Sequence, residues 1–402
     1  MQLNKIVIYF VLSLFTLCII PGTQAGKVRG VTDTEIKIGI LTDMSSVAAF
    51  AGTAMGQAFK DYFAYINDTG GIHGRKIKII VEDNGYFPKT TIPAAKKLIM
   101  KDKVFAIPFC LGSSSAWSIY PIIKKERVPF LPLGADYTFY NPVKKLVFLP
   151  WPTYYNQAAH GIDWVLENNP DARIGVLYQD DAFGRDTLHG AVNAMKFYGK
   201  KLTGTEGFQG GSVDFSSQLI SLRNAECDYV FLGAMVRETA QILNQAHRMG
   251  FKPRFIGHTA STNVKLANLA PLASDGFMSS TNIQTFGQTG PGMDKLLKIM
   301  NKYSGNKYSG NDHYIVAWLY CLAFAEGLRL TGPDLTVDNF IRAMERITNY
   351  DMGGLTGNIT YNSKRHVGSV ACKMMKFDLK KKKFIALEES WVNPKSPQLQ
   401  GE

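Results

Sequence analysis

The chain has 402 residues, enough for two or three domains with cores of their own, so it needs no disulfide or metal staple to fold. Hydrophobic residues make up 46% and charged residues 19%, a balance that excludes a disordered or fibrous chain. The formal net charge is +12, but there is no basic helix and no aromatic stripe interleaved with Arg, which argues against a nucleic-acid partner and leaves anionic ligands or anionic lipids as the partners of a basic surface.

Lys5 precedes an apolar stretch, Ile6 to Ile20, that ends at Pro21-Gly22 and is followed by the small residues before Gly26. This predicts a cleaved secretory signal over residues 1–25 and a periplasmic protein; the alternative, an uncleaved anchor, is disfavoured by a stretch short for a span. Cys18 lies in that stretch after the bulky Leu17, a poor context for lipidation. Cys110, Cys227, Cys321 and Cys372 are scattered in apolar contexts without a CxxC or Cys/His cluster, which reads as buried thiols rather than a metal site.

From Glu35 the chain follows one grammar. EIKIGIL (Glu35–Leu41) alternates as a strand, and a helix over about Thr53–Asn67 has Ala54, Ala58, Tyr62 and Ile66 on one face. Gly70-Gly71-Ile72-His73-Gly74 breaks it, and Arg75–Asp83 is the next strand. A helix over Thr91–Lys101, a strand over Val104–Leu111, a helix over Ala116–Arg127 and a strand over Val128–Leu133 complete a β-α-β-α-β-α-β run. Val147 to Tyr155, with two prolines, reads as a crossing. The grammar restarts at Arg173–Tyr178 (strand) and continues through Arg185–Tyr198 (helix), Lys201–Gly207 (strand), Phe215–Arg223 (helix), Asp228–Gly233 (strand), Glu238–Met249 (helix) and Phe255–Gly257 (strand). Helices follow at Met293–Tyr303, Tyr314–Arg329 and Val337–Arg346; the tail from Leu355 to Trp391 reads as strands, with Lys380–Lys383 as a hairpin turn between Phe377 and Phe384. The fold class is α/β, with two doubly wound parallel sheets.

In such sheets the carboxyl ends of the strands carry the binding crevice. Ser114 and Ser115 follow the Val104–Leu111 strand, and Ala135 and Asp136 follow Val128–Leu133, so the four residues share a rim. Serine hydroxyls beside a helix start suit a carboxylate or another acceptor-rich ligand; plain capping by Ser115 is the alternative. There is no GxSxG, HExxH or P-loop, and none of the histidines pairs with a carboxylate and a nucleophile, so no catalytic residue, cofactor or metal is expected. His258 beside Thr259 reads as a cleft-lining hydrogen-bonding residue rather than a base.

EIKIGILTDMSSVAAFAGTAMGQAFKDYFAYINDTGGIHGRKIKIIVED (Glu35–Asp83), GVLYQDDAFGRD (Gly175–Asp186) and DYVFLGAMVRETAQILNQAHRMGF (Asp228–Phe251), in this order and spacing, resemble the leucine/isoleucine/valine-binding family that serves branched-chain amino acid ABC importers, with the type I periplasmic-binding fold. The resemblance implies two lobes joined by three hinge crossings: residues 26–149 plus 281–355, and residues 150–280 plus 356–402. It implies a monomer that closes on a small-molecule ligand and docks on an ABC permease; a sensing receptor of the same fold is the alternative. By the same resemblance Ser114, Ser115, Ala135 and Asp136 face a ligand carboxylate, and Phe183, Met235 and Thr259 line the opposite lobe. Phe50, Trp151, Tyr154 and Tyr155 lie on cleft-facing loops, or pack in the lobe cores.

Four positions depart from that family. Asp136 stands where a hydroxyl is common, with an Asx turn or helix cap as its alternative role, Phe183 where Tyr is usual, Met235 near a position that is often aromatic, and Thr259 where amino-acid binders carry the acid that holds the α-ammonium. Loss of a buried counter-charge costs about 3–5 kcal/mol. The expectation is a partly apolar or aromatic ligand with a carboxylate or amide end.

Overall fold

The computed structural model describes residues 28–134 and 136–396; the predicted leader and Ala135 lie outside them. The first half builds β1 (Glu35–Thr42), α1 (Ala49–Asp68), β2 (Lys76–Asp83), α2 (Pro88–Lys96), β3 (Ala106–Cys110) and α3 (Ser113–Glu126). Its sheet has the order β2-β1-β3, all parallel. The predicted strand Val128–Leu133 joins that edge only through isolated bridges, Ile107 to Phe130 and Leu111 to Leu133, because Pro129 and Pro132 lack donors for a regular ladder.

The second half builds α4 (Tyr154–Asn168), β4 (Ile174–Gln179), α5 (Ala182–Phe197), β5 (Gly204–Phe208), α6 (Ser216–Asn224), β6 (Tyr229–Gly233), α7 (Val236–Arg248), β7 (Arg254–His258), the single turn α8 (Leu266–Leu269) and β8 (Met278–Thr281). The chain then lays down α9 (Pro291–Ser304), α10 (His313–Thr331) and α11 (Val337–Met344) before the hairpin β9 (Lys373–Asp378) and β10 (Lys383–Ala386). The second sheet has the order β10-β9-β8-β7-β6-β4-β5. It is parallel from β5 to β8 and antiparallel at β9 and β10, so the hairpin gives an otherwise parallel lobe a mixed edge. Phe377 pairs with Phe384, which places the lysine run at the hairpin turn.

Helices α9 and α10 return to the first sheet and pack on α1. The buried Asp61 of α1 fixes them there: its carboxylate accepts from Gln57 Nε2 at 2.7 Å, from Ser304 Oγ at 2.6 Å and from Tyr314 Oη at 2.8 Å. Helix α10 is apolar all round and mostly buried, long and apolar enough by composition to pass for a membrane span. Cys110, Cys227, Cys321 and Cys372 are free and buried.

The same contact opens both halves. A Cβ on Gly52, in the first turn of α1, would stand 2.0 Å from the Asp43 carbonyl oxygen; a Cβ on Gly184, in the first turn of α5, would stand 2.0 Å from the Gln179 carbonyl oxygen. Only glycine lets each helix start so close to the strand before it.

The chain crosses between the sheets around residues 147–153, 282–290 and 370–373. The first crossing pairs with the segment that leads into the last: Leu149 N–H donates to the His366 carbonyl at 2.9 Å, and Gly368 N–H donates to the Leu149 carbonyl at 2.7 Å. Ile359, Tyr361 and Val370, which the sequence reading placed in the C-terminal lobe, are buried in the N-terminal core. The first crossing also ends earlier than Tyr155, because Thr153 caps α4, accepting from Asn156 N–H.

Candidate functional site

The strands of both sheets end at one interface. From the N-terminal lobe, Met55 of α1, Tyr86 after β2, Leu111, Gly112 and Ser113 after β3, and Leu133 line a pocket. The opposite wall is Phe183 of α5, Met235 after β6, and Thr259 and Ala260 after β7. Trp151 and Tyr154 close the hinge side, and His313 and Val316 of α10 close the floor. The lobes are shut on each other: Phe183 and Met235 bury their side chains in the N-terminal core. Only about 20 Å³ of the pocket admits the centre of a water-sized sphere, room for about one water.

On the N-terminal wall Gly112 adopts φ 101°, and α3 begins at Ser113. A Cβ there would lie 3.2 Å from the Tyr86 ring, so glycine serves both the turn and the close approach. Ser113 and Ser115 therefore occupy the first turn of α3, where backbone N–H groups have no intrahelical acceptor. Both hydroxyls are buried and neither has a hydrogen-bond partner. Ser115 is thus not the cap. Ser113 lines the pocket, Ser115 lies one step behind it, and Ser114 is half-buried outside it.

On the C-terminal wall Thr259 is hydrogen-bonded through both its hydroxyl and its backbone N–H. Thr259 Oγ1 donates to Asn282 Oδ1, accepts from Asn282 N–H at 3.2 Å and lies 3.1 Å from Thr281 Oγ1. Thr259 N–H donates to Gln157 Oε1 at 2.9 Å. His258 does not line the pocket. It lies behind Tyr154 and Phe183, with ring centroids 5.0 and 5.3 Å away. Ala260 N–H donates to its Nδ1 at 3.3 Å, so Nε2 carries the proton toward Thr187 Oγ1, 3.1 Å away. Burial lowers its pKa to about 3 and that of His313 to about 4, so both rings are neutral at ordinary pH.

Asp136 is not on the pocket wall. One carboxylate oxygen accepts from Thr138 N–H at 2.9 Å and Thr138 Oγ1 at 2.7 Å, and the other from Trp117 Nε1 at 3.1 Å. It caps the 3₁₀ turn Tyr137–Phe139 and is satisfied there. Asp186 of α5, fully buried, bridges the lobes: it accepts from Tyr137 N–H at 3.0 Å and Tyr155 N–H at 2.8 Å. Burial, with Asp136 nearby, pushes its pKa well up. Tyr155 gives this contact its backbone and sets its ring 5.4 Å from Tyr137, away from the pocket. Phe50 sets its ring edge-on to His313 at 6.1 Å, at the pocket's margin. Of the residues singled out in the sequence, Phe183, Met235, Thr259, Trp151 and Tyr154 meet in the pocket. Met55, Tyr86, Leu111, Ser113, Leu133, His313 and Val316 were not anticipated.

Two α/β lobes meeting at the carboxyl ends of their strands, hinged by three crossings and closed over a buried pocket, define a solute-binding protein. The periplasmic binding protein profile matches residues 35–383, and the chain belongs to this family. It is similar to the Leu/Ile/Val-binding protein of Escherichia coli K12, 25% identical over 245 residues, which is 61% of this chain. The match spans 66% of that relative's length, just under two thirds. Among solved structures it is similar to a fatty acid ABC transporter substrate-binding protein from Thermomonospora curvata, with TM-score 0.83, 22% identity, and coverage of 92% of this chain and 97% of that one. A branched-chain amino acid ABC transporter protein from Thermus thermophilus with bound valine gives TM-score 0.82 at 18% identity, covering 92% and 98%.

Proposed function

We infer that the protein captures a small organic solute between its lobes in the periplasm and delivers it to the permease of an ABC importer. The ligand is a compact apolar or aromatic molecule with a carboxylate or amide end and no ammonium group. The observation that carries this reading is the pair of partnerless buried hydroxyls, Ser113 and Ser115, at the start of α3, beside a pocket lined by uncharged side chains. A carboxylate or amide oxygen set among these hydroxyls and helix N–H groups satisfies them. No carboxylate stands among the described lining residues to meet an ammonium, and Asp136, Asp181 and Asp186 nearby are held by other donors. The relatives' names span leucine, valine and fatty acids, which supports an apolar ligand body without fixing its head group.

The narrow pocket implies that the hinge opens for entry and that the wall side chains part around the bound solute. A thermal-shift panel tests the reading. Leucine and phenylalanine are compared with 4-methylpentanoate and phenylacetate, their counterparts lacking the amine, and with the matching amides. Binding to the folded state alone stabilises by about 2.7 kcal/mol at a hundredfold excess over Kd. The amine-free compounds are expected to raise Tm and the amino acids to leave it unchanged. A larger shift with leucine or phenylalanine overturns the ligand class.

A further inference from the structure

The four-lysine turn plays no part in the cleft. It lies at the other end of the C-terminal sheet, beside an open groove of about 680 Å³. Apolar side chains line this groove, including Leu243, Phe251, Phe255, Leu272, Phe277 and Leu387. Leu272 is 76% exposed, unusual for a leucine, and Leu387 is also exposed. Lys252, Arg254 and Lys376 rim the groove, all on exposed residues. The one acid in the lining, Asp275, accepts Leu379 N–H at 3.1 Å, which ties the lysine turn to the groove's edge. Within the turn, Lys381 pairs with Asp378, while Lys380 and Lys382 are exposed and extend the positive rim.

Arg254 opens β7 and Gly276 precedes β8, so the groove sits at the amino ends of the parallel strands. The solute pocket sits at their carboxyl ends. Occupying one end leaves the other free.

We propose that this apolar groove and its lysine rim form a docking surface for an anionic lipid bilayer, with Leu272 and Leu387 inserting at the interface and the cations meeting lipid phosphates. Exposed leucine ringed by lysine and arginine is the pattern of interfacial membrane association, in which buried apolar area and charge attraction add. A protein partner's acidic segment would meet the charge but would leave Leu272 without a defined seat.

The test is co-sedimentation of the chain recovered from the periplasm of an expressing cell, with vesicles of phosphatidylcholine alone or mixed with phosphatidylglycerol, at low and high salt. Because the whole chain is basic, one variant removes charge here (Lys252→Gln, Lys380→Gln, Lys382→Gln) and a matched variant removes it from the N-terminal lobe (Lys101→Gln, Lys124→Gln, Lys125→Gln). Expected is salt-sensitive binding to the phosphatidylglycerol vesicles only, weakened on the order of a hundredfold by the first variant and little by the second. Leu272→Ser weakens it several-fold further with charge unchanged. Equal losses in the two lysine variants, no vesicle binding by the folded chain, or equal competition by soluble polyglutamate each overturn the proposal; the last would assign the surface to an acidic protein segment.

Discussion

Where the N-terminal lobe meets the pocket, Ser113 and Ser115 hold hydroxyls that no protein group satisfies; where the C-terminal lobe meets it, Thr259 has its oxygen and its N–H fully engaged. The difference follows from what each wall is made of. The first is a helix start, where donors outnumber acceptors. The second is a set of strand ends, where Gln157, Thr281 and Asn282 are close enough to complete every bond. On the reading proposed above, a ligand with one polar end meets the first wall with that end, and Phe183 and Met235 of the second enclose its body.

Glycine substitutions should erase the distinction altogether. Gly52→Ala and Gly184→Ala each place a Cβ against backbone, and each should cost about 3 kcal/mol or more by urea unfolding. Equal losses would show that the two junctions are equivalent; a much smaller loss at one would show that its helix can shift.

Acid separates the walls next. Behind the C-terminal wall, His258 is held neutral with a pKa near 3, while in the unfolded chain it takes up a proton below about 6.5. Its contribution is complete above that pH and is lost as pH falls toward 3, about 2 kcal/mol by pH 5. Asp312, just before α10, acts with the opposite sign. Burial raises it to about 7, so the folded state binds a proton first and its share of stability improves as pH falls from 7 toward 4. Urea unfolding at pH 7 and 5 should show a smaller acid loss in His258→Gln and a larger one in Asp312→Asn.

Polar truncation gives the sharpest contrast. Ser113→Ala and Ser115→Ala remove buried groups with no partner and should leave stability unchanged or raised by up to about 1 kcal/mol, while lowering affinity for a bound carboxylate about tenfold or more. Thr259→Val strands Asn282 and should cost about 1–3 kcal/mol in stability, with a smaller effect on affinity. Calorimetric titration and chemical unfolding on the same samples check both. Asp136→Asn should do least, with affinity within about twofold and stability within about 1 kcal/mol, since it only weakens a satisfied cap.

The alternating β-α pattern was legible because most of the parallel strands are short apolar runs and helices such as α1 repeat buried residues at helical spacing between them. Helix α4 was not. Gln157, His160 and Asp163 stand on its buried faces, where they serve Thr259, Ser280 and the backbone of Lys395, so its apolar period is interrupted for tertiary reasons. Thr153 with Asn156 after Pro152 was the local sign of its start. Strand β8 is four residues of Met, Ser and Thr and carries no signal of its own. On the C-terminal side Phe183, Met235 and Thr259 could be picked out because each follows a well-marked strand, and all three line the pocket. On the N-terminal side Ser113 rather than Ser114 lines the pocket, because α3 starts at the first serine under the Gly112 turn rather than at Ala116. Tyr86 and His313 reach the pocket from segments far apart in sequence, which no local pattern reveals.

Helix α10 has a consequence for the export to the periplasm proposed above. In the folded protein 14 of its 19 residues are buried, and its apolarity is core packing. A secretion channel meets the same segment unfolded, with nothing to pack on, and by composition it resembles a stop-transfer sequence. Its mean hydropathy of 1.2 is modest, and Glu326 and Arg329 lie near its end, which favours passage over lateral release into lipid. Substitutions that make this helix more apolar would suit the fold and still trap the chain in the membrane, so yield of exported protein, rather than stability, is where selection on its surface would be felt.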